Sequence, residues 1–186
     1  MSLFARILKP VVAALAVIFA PVPPVLAEEP PDSLFGALAA AESADAARMI
    51  ADDIRTHWAR SGSAAMDLLL QRGRGALEKG DVQAALEHLT ALTDHAPGFA
   101  EGWHARAHAY FAAELTGPAV DDLRRALSLS PRHFDAMVGL GVILDLTGAP
   151  EDALSVLNRA RDIYPHHPET EAAIERLEAR LLGRDA

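Results

Sequence analysis

His104 and His108 are the residues of this sequence best placed to do chemistry together. A spacing of four puts them on one face of a helix. Two imidazoles so placed can share a Zn²⁺ ion if further ligands join them, and Glu101 and Asp67 are the nearest suitable carboxylates in type. Two ligands and an unfixed third do not define a site, so no metal and no cofactor is assigned; a His104–His108 metal site stands as the alternative. Otherwise the two histidines are polar recognition groups, or helix residues facing solvent on which the fold does not depend. His166 and His167, held between Pro165 and Pro168, read as a loop into the last helix rather than a second ligand pair. The sequence has no Gly-rich phosphate loop, no nucleophile elbow and no HExxH. It also has no cysteine, which excludes disulfides, thiolate metal sites and cysteine nucleophiles. The expectation is a protein that binds, not an enzyme.

The segments that carry these residues read as helices. From Ser33 onward apolar residues recur at helical spacing, no segment alternates like a strand, and Leu, Ala, Arg and Glu dominate. An internal repeat organises them. Pro97, Pro131 and Pro165 are 34 residues apart, and so are Ala85, Ala119 and Ala153; Leu89, Leu123 and Leu157; and Gly73, Ala107 and Gly141. The Gly/Ala/Gly column suits two helices that cross closely within a hairpin, with the Ala column facing it. The Leu column is expected to fill the space between hairpins. Each proline follows a helix it cannot continue. Gly80-Asp81, Gly117-Pro118 and Gly148-Ala149-Pro150 are expected to turn the chain inside the hairpins, with Pro118 and Pro150 at first helical positions.

A small residue, then Ala-x-x-x-large, then Pro, at a period of 34, resembles the tetratricopeptide repeat. The middle unit matches best, with Trp103, Ala107, Tyr110, Ala119, Leu123, Ala126 and Pro131. The third has Leu140, Gly141, Leu144, Gly148, Ala153, Leu157, Ala160 and Pro165, and the first Leu69, Gly73, Ala76, Gly80, Ala85, Leu89 and Pro97. Arg72 and Arg106 depart from the pattern where Leu is usual, although an arginine stem can lie along apolar surface. The resemblance implies an all-α, right-handed solenoid of three helical hairpins over 64–167, with repeats at about 66–99, 100–133 and 134–167. It also implies that the first helix of each hairpin lines a concave groove. On this sequence the groove positions are Asp67, Leu70, Arg74, Leu77 and Glu78; Glu101, His104, His108, Phe111 and Ala112; and Asp135, Val138, Val142, Asp145 and Leu146. That is an apolar strip with an acidic rim, suited to a peptide or helix of another protein.

A repeat stack leaves an apolar face open at each end unless something covers it. Residues 33–63 read as an irregular helical hairpin, Ser33–Ala41 and Ala44–Arg60, with Leu34, Leu38, Ile50, Ile54 and Trp58 at helical spacing; it is the expected N-terminal cap. Residues 168–182 form an amphipathic helix with Ala173, Ile174, Leu177 and Leu181 on one face, the expected C-terminal cap. Residues 28–32 are a polar leader.

The first 27 residues read as a secretory signal. Arg6 and Lys9 give a positive start, Val11–Ala20 is a short apolar run, and Val25 and Ala27 sit where a signal peptidase reads, so the expected cut is between Ala27 and Glu28. The alternative is an uncleaved inner-membrane anchor. The whole chain of 186 residues carries a net charge of −9, and losing Arg6 and Lys9 makes it −11. Such a balance repels phosphate backbones and disfavours nucleic acid. It favours a protein partner with a basic or apolar segment. The chain resembles small envelope tetratricopeptide proteins of Gram-negative bacteria, which implies a periplasmic or secreted scaffold or adaptor.

Overall fold

The structure, a computed structural model, describes residues 29–183. The expected signal and its cleavage site at Ala27 and Glu28 lie outside the described residues. The described residues form nine helices: α1 (Asp32–Ala39), α2 (Ala44–Trp58), α3 (Ala64–Glu78), α4 (Val82–His95), α5 (Ala100–Ala112), α6 (Thr116–Leu129), α7 (Phe134–Leu146), α8 (Pro150–Ile163) and α9 (Pro168–Leu182). Several begin at a side chain that accepts an otherwise unpaired backbone N–H. Ser43 accepts from Ala46, Asp81 from Ala84, His133 Nδ1 from Ala136 and His167 Nδ1 from Thr170.

The helices pair as the hairpins α3–α4, α5–α6 and α7–α8, and each hairpin packs on the next through α4 on α5 and α6 on α7. Within a hairpin the close approach falls between the glycine and leucine columns. A Cβ on Gly73 would lie 2.4 Å from Leu89 Cγ, and one on Gly141 would lie 2.6 Å from Leu157 Cγ. The leucines therefore close each hairpin from inside, and Leu123 also reaches the next hairpin, 3.5 Å from where a Cβ on Gly139 would lie. Ala85, Ala119 and Ala153 are fully buried. On the last hairpin, α9 lays Ala173, Ile174 and Leu177 against Ala153 and Leu157 of α8.

The turns inside the hairpins also correct the expectation. The left-handed position is occupied by Gly80 (φ 75°), Glu114 (φ 61°) and Gly148 (φ 85°), again 34 apart. Each is followed by an N–H reaching back five residues: Asp81 to Ala76, Leu115 to Tyr110 and Ala149 to Leu144. That bond closes a Schellman-type helix end. The middle turn is thus at Glu114, and Gly117 and Pro118 lie inside α6. Arg106, at a leucine position, is accommodated by polar partners. Its guanidinium binds both oxygens of buried Asp122 at 2.7 and 2.9 Å, donates to Thr93 Oγ1 at 2.7 Å, and lies 4.8 Å from the Trp103 ring centre.

The N-terminal hairpin is placed differently from a simple cap. Its buried side chains, Phe35, Leu38, Ala47, Ala51, Ile54 and Trp58, form one cluster with Phe134 and Tyr164, from the third hairpin. Arg132 pairs with Asp32 at 2.7 Å and covers the Phe35 ring at 3.9 Å, while His166 Nε2 donates to the Ala41 carbonyl at 2.8 Å. The hairpin folds back over the loops that lead into α7 and α9, far along the chain from α3. The short linker Ser61-Gly62-Ser63 permits the reversal, with Gly62 at φ 82° and Ser61 Oγ donating to Asp67 Oδ1 at 2.6 Å.

Candidate functional site

The first turns of α5 and α7 bring Glu101, His104, His133 and Asp135 together beneath the end of α2. His104 Nδ1 lies 3.0 Å from Glu101 Oε1, and His133 Nε2 lies 2.7 Å from Glu101 Oε2; Arg74 of α3 also binds Glu101 Oε1. Two bonds close the site from above: the Trp58 indole stacks on the His133 ring at 3.9 Å and 7°, and Arg55 grips Asp135 with Nε and Nη2 at 2.8 and 2.9 Å. The Arg55–Asp135 fork is bidentate, the geometry in which arginine is strongest.

This corrects the expected groove at several positions. Glu101 and His104 are 3% and 7% exposed, so they belong to the interior and not to an open rim. The reason is that they bond to each other and lie against His133, which binds Glu101 Oε2 and stands 4.5 Å from His104, ring centre to ring centre. Leu70 is buried and Leu77 partly buried in the core of the first hairpin, Val138 packs against the cluster of α8 and α9, and Asp145 is paired with Arg180 of α9. Asp67 is engaged by Ser61, and Arg74 by Glu101. His108, Phe111 and Val142 remain exposed, with Glu78, Ala112 and Leu146. His133, Trp58 and Arg55 were not among the expected site residues.

The charges in the cluster are set by one another. Burial alone would raise the Glu101 carboxyl, but the adjacent His104 and His133 hold it well below the usual range. Burial works against a charged His104, yet the Glu101 carboxylate raises it above 6.5. His133 is pushed down by burial and by the charge on His104, against the pull of Glu101. Burial opposes ionisation of Asp135 too, but the Arg55 hydrogen bonds lower it. His108, in the wall of the groove and edge-on to His104 at 4.7 Å, is pushed down to about 4 by desolvation and by His104. The cluster thus favours the carboxylate form of Glu101, the protonated form of His104 and the neutral form of His133.

Glu101, His104 and His133 each offer a ligand atom, all within 4.8 Å of one another. Their hydrogen bonds do not fit a metal. His133 Nδ1 accepts the Ala136 N–H, so its proton sits on Nε2, the atom that would have to coordinate. Metal-bound histidines instead donate from the second nitrogen. The Arg74 guanidinium on Glu101 adds a competing cation. His104 and His108, the pair singled out by spacing, meet ring edge to ring rather than converging on a point.

Beyond the cluster, toward the C-terminal ends of α5 and α7, the surface opens into an apolar pocket of about 310 Å³. Ala107, His108, Phe111, Leu123, Val142 and Ile143 line it. Phe111 and Val142 in its wall are 40% and 38% exposed, and Leu146, one turn beyond Val142 on α7, is 67% exposed.

A family profile for the tetratricopeptide repeat matches residues 104–168. A TPR repeat-containing protein of Rhizobium etli is 34% identical over 152 residues, covering 82% of this chain and 74% of the relative. The chain belongs to the tetratricopeptide repeat family. Among solved structures, the first TPR of Spaghetti (RPAP3) bound to the HSP90 peptide SRMEEVD superposes with a TM-score of 0.62 at 21% identity, over 64% of this chain and 95% of that one. MamA gives 0.61 at 22% identity, over 76% and 81%. Both share the repeat fold with this chain. Within a tetratricopeptide solenoid, the α5–α7 pocket lies along the first helices of successive hairpins, and α2 sits against the N-terminal end of α7, at His133, Phe134 and Asp135.

Proposed function

We propose that this tetratricopeptide protein is an adaptor of the bacterial envelope that holds a segment of another protein against its groove. The observation that carries the reading is the exposed apolar pocket between α5 and α7, walled by Phe111 and Val142. A stacked repeat array offers a rigid surface to such a segment, and a large side chain entering the pocket would supply the anchor. The RPAP3 domain holds the peptide SRMEEVD, which is rich in acidic residues; this chain is itself strongly acidic, so a basic or apolar segment is the better complement. A binding role rather than catalysis is supported by the use of the described chain, which is spent on hairpins and the helices flanking them.

The periplasmic or secreted location rests on the character of residues 1–27, with an uncleaved anchor as the alternative. No helix among the described residues is long and apolar enough to cross a membrane. Fractionation of cells with N-terminal sequencing tests it: a mature chain starting at Glu28 in the periplasm is expected, and full-length protein confined to the cytosol would refute it. For the binding reading, mature protein and its Val142→Glu variant are used side by side to capture partners from envelope extract. Partners held by the first and lost from the second are the expected result. A variant that is folded and retains the same proteins would rule out the pocket.

A further inference from the structure

The N-terminal end of α7 is covered by the chain itself. α2 brings to it one basic and one aromatic side chain, Arg55 and Trp58, three residues apart on one helix face. The repeat body answers each with a dedicated receptor. Asp135 gives both carboxylate oxygens to Arg55, and the Arg55 guanidinium also lies 5.3 Å from the Phe134 ring centre. The flat face of His133 takes the indole, with Phe134 tilted against it at 4.8 Å. Earlier on the same helix Ala47 and Ala51, both fully buried, belong to the apolar cluster that includes Phe134 and Tyr164. These receptor residues all come from the third hairpin, 80 positions from Arg55, and the hairpin carrying α2 is joined to the repeats only through the linker at Gly62. This is the arrangement of a helix bound in a groove, in which one face supplies anchors at i and i+3.

We infer that the surface made by His133, Phe134, Asp135 and Tyr164 is a second binding site, for an amphipathic helix with a basic and an aromatic residue one turn apart, and that α1–α2 is its intramolecular occupant. A partner helix of that chemistry must displace the hairpin, so the site is available only to ligands able to compete at the high effective concentration set by a short linker. The seat is charge-matched to such a helix: Asp135 is its anionic anchor, and Glu101 lies beneath His133. The inference goes beyond the pocket reading, because the pocket lies between α5 and α7 toward their C-terminal ends, whereas the seat is built at the start of α7 and the end of α8.

The test uses a fluorescent peptide copying residues 44–60 as the probe. Arg55→Ala in the full chain loosens the resident helix and leaves the seat intact. This variant is expected to bind the peptide at least tenfold more tightly than the wild-type chain, and Asp135→Asn added to it is expected to abolish the gain. A folded Arg55→Ala chain that binds the peptide no better than wild type overturns the inference. Should that variant fail to fold, a protease site is placed in the Ser61–Ser63 linker of the otherwise native chain and cut. Release of the N-terminal fragment by excess peptide supports a displaceable occupant, whereas a fragment that stays bound through any excess shows a permanent part of the core and overturns it. Val142→Glu is the control: it is expected to leave peptide binding unchanged, which separates failure of the seat from failure of the pocket.

Discussion

His133 meets three demands at one position. Its Nδ1 starts α7 by accepting the Ala136 N–H, its Nε2–H binds Glu101, and its ring supports Trp58. His133→Ala should cost on the order of 2–4 kcal/mol, since it removes a helix cap and leaves a buried carboxylate short of a partner. His108→Ala, at an exposed position, should change stability by no more than about 0.5 kcal/mol; urea titrations of both variants make the comparison. The cluster also fixes a pH response. His133 is depressed below 6.5, so its contribution is present above pH 6.5 and is lost as pH falls through its folded value. His104 is raised above 6.5, so its contribution is full below pH 6.5 and is lost as pH rises through its folded value. Stability should therefore peak near the middle of the range from about pH 5 to 8 and fall on both sides. His104→Gln should remove the decline on the alkaline side, measured as urea midpoints against pH. At this scale the sequence led partly astray. A spacing of four made His104 and His108 look like a pair, because they share a helix face, but the partner of His104 is Glu101, three residues before it, and Glu101 is held in turn by His133 from another helix. The available signal was that His133 and His167 are 34 apart and stand just before α7 and α9, where a side chain that caps a helix belongs.

Helix crossings and turns give sharper tests. Gly73 and Gly75 differ in what surrounds them: a Cβ at Gly73 would strike Leu89, while one at Gly75 meets nothing within 4 Å. Gly73→Ala should thus destabilise by about 1–3 kcal/mol through overpacking, and Gly75→Ala should stabilise by up to about 1 kcal/mol through helix propensity. Glu114 bears a side chain at a left-handed position that the other two hairpins give to glycine. Glu114→Gly should relieve roughly 1 kcal/mol of that strain, seen as a higher melting temperature by circular dichroism. The 34-residue columns were legible here because the same small, apolar and proline positions must recur wherever the same crossing recurs. Which column touches which was not legible, since Ala and Leu both suit an interior and only the crossing distance shows that leucine meets glycine. The turn at Glu114 was hidden for a related reason: Gly117-Pro118 carries the composition of a turn but lies within α6.

Across the molecule, the hairpins depend on their neighbours. Removing 168–186 should bare Ala153 and Leu157 together with Leu144, and the truncated chain should associate or lose solubility in sedimentation experiments. A truncated chain that stays monomeric and equally stable would show that α9 covers nothing of consequence. The sequence made the stacking of hairpins readable because each contact joins units adjacent in the chain. It could not place α1–α2, whose apolar face is equally suited to any apolar surface; Phe134 and Tyr164 become its counterpart only once the solenoid has formed. That separation has a consequence for biosynthesis. The bonds from Arg55 to Asp135 and from His166 to Ala41 span 80 and 125 positions, so the helices that leave the ribosome first are those whose resting place is completed last. At about 5–20 residues per second, Tyr164 is added roughly 5–20 s after Trp58. Throughout that interval the nascent chain displays Phe35, Leu38, Ile54 and Trp58 with no counterpart of their own, while α3–α6 can already close on each other. Vectorial synthesis therefore makes the N-terminal end of this protein the first to be built and the last to find its long-range partners.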